Sequence, residues 1–167
     1  MQEDEILDLV DAYDRVIGTK SRIQAHADGH VNFRAVNGFV VNDKGQLWIP
    51  RRTPDKLSFP SALDMSVGGH VSSGETYDQA IIREAMEELN LDLSETPYHV
   101  VGYFKAGEHG LGCFQKIYEI NINVAPVYNQ EDFTEASWDY PRQILKRIEQ
   151  GEAAKDDLAI LIKLLYL

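Results

Sequence analysis

The chain carries one cysteine in 167 residues, Cys113. An intrachain disulfide and every cysteine-rich zinc module are thereby excluded, a usage that fits a reducing compartment. Positive charge is also scarce: 16 Lys and Arg stand against 27 Asp and Glu, a net charge of -11. Such a surface repels polyanions and argues against a sequence-independent grip on nucleic acid. Long apolar runs are missing too. The nearest to one, Leu158 to Leu167, is interrupted by Lys163 and falls well short of the roughly 20 residues that span a bilayer. Met1-Gln2-Glu3-Asp4-Glu5 lacks the basic start of a leader, so the expected setting is the cytoplasm, with no membrane involvement. What is present, 44% hydrophobic and 26% charged residues, suits one compact domain over residues 1–167 with a substantial core.

Short apolar runs around Ile6 to Val10 and Arg15 to Gly18 predict a β-hairpin over about residues 5–18. Its acidic residues Glu3, Asp4, Glu5, Asp8, Asp11 and Asp14 read as a solvated rim without chemistry. Lys20 to Asn32 is polar and reads as a loop. Strands over Arg34 to Val41 and Gln46 to Pro50 flank the turn Asn42-Asp43-Lys44-Gly45. A basic, proline-bounded loop runs from Arg51 to Ala62, and Leu63 to Val67 reads as a strand leading into Gly68-Gly69. After Gly74 the pattern turns helical, with Thr76 and Gln79 spaced as a capping box and no glycine or proline until beyond Leu91. Strands Tyr98 to Lys105 and Phe114 to Val124 flank the glycine-rich stretch 107–112. A helix starts at Pro141 and stops at Gly151, and a last one runs from about Lys155. This order predicts an α/β fold, a mixed sheet covered by helices.

On a wheel of about 100° per residue, Ile81, Ile82, Ala85, Met86 and Leu89 share one arc and Glu84, Glu87 and Glu88 a neighbouring one. Like charges so spaced destabilise a helix, and a divalent cation would relieve them: hard carboxylate oxygens suit Mg²⁺ or Mn²⁺, which in turn holds phosphate oxygens. Arg83 lies close to Glu87 on the wheel and is placed to orient that carboxylate. An ordinary solvated acidic face is the competing account until the flanks are read. From Gly69 the chain runs His70-Val71-Ser72-Ser73-Gly74-Glu75, then seven residues, then Arg83-Glu84-Ala85-Met86-Glu87-Glu88-Leu89-Asn90-Leu91. This resembles the Nudix box, G-x5-E-x7-R-E-U-x-E-E-x-G-U with U a bulky aliphatic residue, over residues 69–91. Ala85 and Asn90 depart from it without removing a charge. Asn is the non-glycine residue that best tolerates a left-handed helix end.

The resemblance implies a Nudix α/β/α sandwich and a Mg²⁺- or Mn²⁺-dependent hydrolase that cleaves a diphosphate linkage in a small nucleoside diphosphate derivative or related diphosphate. It implies Glu84, Glu87 and Glu88 as metal ligands, with Glu87 the preferred base, and Arg83 as the orienting group. Glu75 then supports the loop, the Gly69 region adds backbone ligands, and Glu108 is the candidate for a further carboxylate. Arg51, Arg52 and Lys56 are the basic trio suited to a phosphate clamp, with a solvated strand end as the alternative. Beyond the box the chain resembles the branch holding type I isopentenyl-diphosphate isomerases. There, however, the isomerase cysteine falls on Gly68, one histidine ligand on Phe33, and the second glutamate of its Gly-Glu-His-Glu stretch on Gly110. His26 and His70 match two histidine ligands. These losses favour hydrolysis over isomerisation; an isomerase-like enzyme and a non-catalytic nucleotide-binding domain are the alternatives. His30, His99 and His109 have no motif support, Phe59, Tyr103, Phe104 and Phe114 read as core, and Cys113 reads as structural. The apolar last helix offers a homodimer surface if the core does not consume it.

Overall fold

Along the chain the elements are β1 (Ile6–Val10), β2 (Val16–Ser21), α1 (Arg22–Ala27), β3 (Arg34–Val41), β4 (Leu47–Arg52), β5 (Val67–His70), α2 (Tyr77–Leu89), β6 (Tyr98–Phe104), β7 (Phe114–Asn121), β8 (Phe133–Asp139), α3 (Pro141–Glu149) and α4 (Leu158–Tyr166). They are seen in a computed structural model that describes residues 4–29 and 32–167. Glu3 and His30 lie outside the described residues. The main sheet has the order β6-β7-β3-β4-β8, with β5 also on β3. β3 and β7 are parallel and the other pairs antiparallel, which makes the sheet mixed. β3 changes partner along its length: Ala35 to Gly38 pair with β5, whereas Val41 faces Leu47 of β4. In the gap, the buried Ser66 hydroxyl accepts from Val40 N–H at 2.8 Å and donates to the Trp48 carbonyl at 2.5 Å, replacing ladder bonds the divergence removes.

Strand alternation sorts the core into two layers. Val36, Val40, Val67, Tyr118 and Ile120 pack on α2 through Ile81, Ala85 and Leu89. Phe39, Leu47, Ile49 and Ile117 pack on α3 and α4 through Ile144, Leu145, Leu158, Leu161 and Ile162. Leu158, Leu161 and Ile162 of the last helix are thus spent on the core, while Leu164 and Leu167 stay exposed. Among the described residues, no helix is long and apolar enough to cross a membrane.

Several expectations change. The loop after Lys20 contains α1, started by the Ser21 side chain accepting from Gln24 N–H. Leu63 to Val67 is not a strand: Leu63 makes isolated bridges to Arg51 and Ala154, and regular pairing begins at Val67, where β3 offers an open edge. β8 was not expected, because exposed Thr134 and Glu135 interrupt its apolar pattern, as suits an edge strand. α4 begins at Leu158, not near Lys155. On α2, Ile82 and Met86 are exposed, since the sheet reaches only the Ala80, Ile81, Ala85 and Leu89 side.

The N-terminal hairpin forms as expected but is not an inert acidic rim. Leu7 is fully buried and bridges to Ser72, while the Asp8 carboxylate accepts from Ser73 Oγ at 2.7 Å and Gly74 N–H at 3.1 Å. Asp14 accepts from Arg34 Nε at 2.6 Å and from the hydroxyls of Tyr77 and Tyr103, each at 2.8 Å. Asp8 fastens the hairpin to the loop that precedes α2, and Asp14 fastens it to β3, β6 and the first residue of α2.

Candidate active site

Helix α2 is specified at both ends. Thr76 Oγ1 accepts from Gln79 N–H and the Gln79 side chain accepts from Thr76 N–H, closing the expected capping box. At the other end Asn90 takes φ 52° and its N–H reaches back into the last turn, so asparagine fills the left-handed position the box gives to glycine. Ala85 is fully buried against the sheet. Both departures from the box leave the helix intact.

Arg83 is the hub of the site. Its guanidinium grips Glu75 through Nε at 2.7 Å and Nη2 at 2.9 Å, Glu84 through Nη1 at 2.7 Å, and the His70 carbonyl through Nη2 at 3.1 Å. Its contact to Glu87, expected to be the main one, is longer at 3.4 Å. Glu75 also accepts from Ser72 N–H at 3.0 Å, and the Arg83 guanidinium holds its carboxyl below the ordinary range. Loop and helix are thus locked by one charge-assisted fork.

The two inner carboxylates sit under the opposite pressure. Glu84 is 8% exposed and burial pushes its pKa up to about 7, with Arg83 pulling against the rise. Glu88 accepts from Gly68 N–H at 2.9 Å, and burial reinforced by Glu84 raises its pKa well above the usual value. Glu87 stands at the rim, its side chain 58% exposed. The glycines of β5 make room for this set. A Cβ on Gly69 would lie 2.1 Å from Glu84 Oε1, and one on Gly68 would lie 2.3 Å from Asn37 Oδ1. Gly69→Ala is therefore expected to displace the Glu84 carboxylate and to cost about 100-fold in kcat/KM for hydrolysis. Steady-state kinetics checks it, with circular dichroism confirming the fold.

The other expected residues are dispersed. Arg51 donates to Glu135, Ser61 O and Glu152, Arg52 to Asp64 and Ser58 O, and Lys56 to Asp132, so each clamp cation already holds a carboxylate. Glu108 turns onto Lys105 N–H within its own 3-10 turn at 3.0 Å, and among the described residues no hydrogen bond or ion pair joins it to the box carboxylates. His26 and His70 meet Nε2 to Nε2 at 3.2 Å, with Phe33 packed against both rings. Burial and His26 hold the His70 imidazole neutral, its pKa lowered to about 3. Phe114 is core, as expected, but Phe59 and Tyr103 are exposed. Burial pushes the Cys113 thiol up to about 12, which leaves it unreactive. Sequence reasoning missed Asn37, Asp64, Gln115 and Lys155. The signal available for the first two was a polar residue inside the apolar runs Val36 to Val41 and Leu63 to Val67.

The NUDIX domain family model matches residues 31–158. The chain belongs to the Nudix family. An uncharacterized Nudix hydrolase of Nostoc sp. is 49% identical over 166 residues, 99% of this chain and 98% of its own. The crystal structure of DR0079 from Deinococcus radiodurans is similar at a TM-score of 0.90 and 43% identity, covering 98% of this chain and all of that one. Isopentenyl-diphosphate Delta-isomerase 1 of Photorhabdus laumondii is 34% identical over 89 residues, 53% of this chain and 51% of its own. An isopentenyl-diphosphate Delta-isomerase of Salmonella arizonae matches over 89% of this chain but at only 27% identity, whereas the Nudix hydrolase of Nostoc sp. reaches 49% over 99% of it. This Nudix protein is a hydrolase with the α/β fold of its family.

Nudix hydrolases use divalent metals, and the donor set here fits one. Two carboxylates share a recess in which burial and mutual repulsion disfavour their charges, and Gly69 lets Glu84 lie against the backbone. A hard cation is the partner that satisfies this arrangement. Among the described residues, no three His, Cys, Asp or Glu side chains converge as a ready-made cage. Arg83 and Gly68 N–H meanwhile occupy Glu84 and Glu88.

Proposed function

We propose that the protein hydrolyses a diphosphate linkage in a nucleoside diphosphate derivative or related small diphosphate, with Mg²⁺, or Mn²⁺ in its place, held by Glu84, Glu87, Glu88 and the Gly69 backbone. The observation that carries this reading is the Arg83 fork, which fixes Glu75 and Glu84 together while Glu88 is tied to Gly68. A bound cation would neutralise phosphate charge and acidify water. The chain's own residues do the rest. Glu87, exposed at the rim, takes a proton from the attacking water as its oxygen bonds to phosphorus. The bridging P–O bond breaks and the leaving phosphate carries away the electron pair. Arg83 keeps Glu84 oriented throughout. Arg52 and Lys56 face the phosphates by exchanging carboxylate for phosphate oxygen. Arg51 has Nε, Nη1 and Nη2 all engaged and is assigned to holding the turn at Glu152. Glu108 has no role in this scheme. The single, buried Cys113 suits a reducing setting, and we place the protein in the cytoplasm.

The test incubates the protein and its Glu87→Gln variant with Mg²⁺ and nucleoside triphosphates, ADP-ribose, dinucleotide polyphosphates, coenzyme A and isopentenyl diphosphate. Products are identified by mass. Cleavage of a diphosphate linkage by the unmutated protein, with Glu87→Gln slowed at least about 100-fold, is expected. Conversion of isopentenyl diphosphate to its isomer would replace this reading with isomerisation. Tight nucleotide binding without any product would replace it with a binding role.

A further inference from the structure

The stretch between α3 and α4 returns from the far end of the chain to the segment that leads into β5. Gly151 turns at φ 101°, and Glu152 is held by Arg147 at 2.8 and 2.9 Å and by Arg51 at 2.8 Å. The chain then zips onto the segment before β5: Leu63 N–H donates to Ala153 O at 2.8 Å and Lys155 N–H to Leu63 O at 2.9 Å. This pairing sets Lys155 beside Asp64 and fixes its backbone, although 90 residues separate the two in sequence.

What distinguishes Lys155 is that its ammonium is not spoken for. The cations Arg51, Arg52, Lys56 and Arg83 each lie 2.5 to 2.7 Å from a carboxylate oxygen. Lys155 Nζ stands 3.7 Å from Asp64 Oδ1, beyond hydrogen-bond reach, and donates no hydrogen bond among the described residues. Asp64 is already engaged by Arg52 at 2.7 Å, so Lys155 has only a longer contact to a carboxylate that another cation holds. Asp157, in the same turn, does not close on the ammonium either: its Oδ1 is buried without a hydrogen-bond partner among the described residues. The Lys155 side chain is 23% exposed, so it is within reach of a ligand. Asp64, Asp157, Arg52 and Glu88 all lie within its electrostatic reach, and its charge is felt at His70 on β5. An ammonium with unused donors, next to a carboxylate that Arg52 already holds, has hydrogen bonds to give to an anionic oxygen.

We propose that Lys155 binds a phosphate oxygen of the substrate, with Arg52, which shares Asp64 with it, as its neighbour. This assignment rests on the diphosphate reading given under Proposed function. Lys155 is a point charge with three rotatable donors, so it serves any small diphosphate. Selectivity for the rest of the substrate lies elsewhere.

The experiment compares the unmutated protein with Lys155→Met, which keeps most of the side-chain bulk, and Lys155→Arg, which keeps the charge. Calorimetry measures binding of methylenediphosphonate, a non-hydrolysable diphosphate, with Mg²⁺, and kinetics are taken on whichever panel compound is hydrolysed. Lys155→Met is expected to raise Kd and KM roughly 10- to 100-fold, with its unfolding temperature unchanged. It is also expected to flatten the salt dependence of binding, and Lys155→Arg should recover most of the loss. A Lys155→Met protein that binds and turns over like the unmutated one overturns the assignment. So does one whose losses accompany a fallen unfolding temperature and are not rescued by arginine, since the lysine would then be structural. If the unmutated protein neither hydrolyses a panel compound nor binds the probe, the diphosphate reading itself fails and Lys155 loses its role with it.

Discussion

Replacing Glu88 by glutamine is expected to lower metal-dependent kcat on the order of 10³-fold, the scale of losing one preorganised electrostatic contact, while raising the unfolding temperature of the metal-free protein. The two effects share one cause. The partly buried Glu88 carboxylate lies close to Glu84, and desolvation and repulsion raise both pKa values. Glutamine removes the charge and keeps an oxygen for Gly68 N–H, which donates to Glu88 at 2.9 Å. Glu84→Gln should be as inactive but gain less stability, because it also gives up the 2.7 Å ion pair with Arg83. The pH dependence follows. Glu84 titrates near 7 when folded and near 4.5 when unfolded, so between those values the folded state holds the extra proton. Stability of the metal-free protein therefore falls as pH rises from about 4.5, through Glu84 up to about 7, with Glu88, whose pKa is also raised, adding to the fall in the same direction. Glu152 works in the other direction, since Arg147 and Arg51 hold its pKa at about 2. Its contribution is complete above about 4.5 and is lost only as pH falls from there, so the two windows do not overlap. Scanning calorimetry across this range, with and without Mn²⁺, checks the whole argument. Mn²⁺ should restore stability at high pH in the unmutated protein and not in Glu88→Gln. A Glu88→Gln protein less stable than the unmutated one at pH near 8 would mean the carboxylate is satisfied without a cation.

The part of this site that could be read in the sequence is the part built by local spacing. Arg83, Glu84, Glu87 and Glu88 lie within two turns of one helix, and Glu75 lies one short loop away, so their relative placement follows from helix geometry and a capping box. The departures at Ala85 and Asn90 were also legible, because one needed only a buried position and the other a left-handed one. What stayed hidden depends on pairing across the chain. Lys155 meets Asp64 only because Leu63 pairs with Ala153 and Lys155, and no local pattern encodes that register. The helix wheel placed Ile82 and Met86 with the core because it gives directions without saying how wide the facing sheet is. Arg51, Arg52 and Lys56 looked like spare positive charge for a similar reason: their partners Glu135, Asp132 and Glu152 arrive from β8, its approach and the turn after α3, and Asp64 comes from the segment before β5.

Asp14 gives the second large effect, and it tests the reading of the hairpin as part of the machinery that shapes the cleft. Asp14→Ala is expected to destabilise the protein by about 3 kcal/mol, because it strips a partly buried arginine of its carboxylate. Arg34 and Asp14 side chains are 16% and 12% exposed and meet at 2.6 Å, and the same carboxylate accepts from Tyr77 and Tyr103 at 2.8 Å. The backbone adds to the cost. Asp14 has φ 62°, a left-handed conformation that asparagine tolerates and alanine resists by about 1 kcal/mol. Asp14→Asn keeps the turn and one acceptor oxygen, so it should lose roughly half as much as Asp14→Ala. Denaturant unfolding gives the magnitudes, and hydrogen exchange tells where they act. With the Asp14 anchor gone, amides of β1 and β2 should exchange faster while those of β3 and β7, in the centre of the sheet, keep their protection. The hairpin also carries Asp8, which holds Ser73 and Gly74 just ahead of Glu75, so loosening it should loosen the Arg83 fork as well. Faster exchange at Ser73 and Gly74 in Asp14→Ala is the sign of that coupling. A loss below about 1 kcal/mol, or protection lost evenly across both sheets, would mean that the hairpin does not depend on Asp14 for its docking.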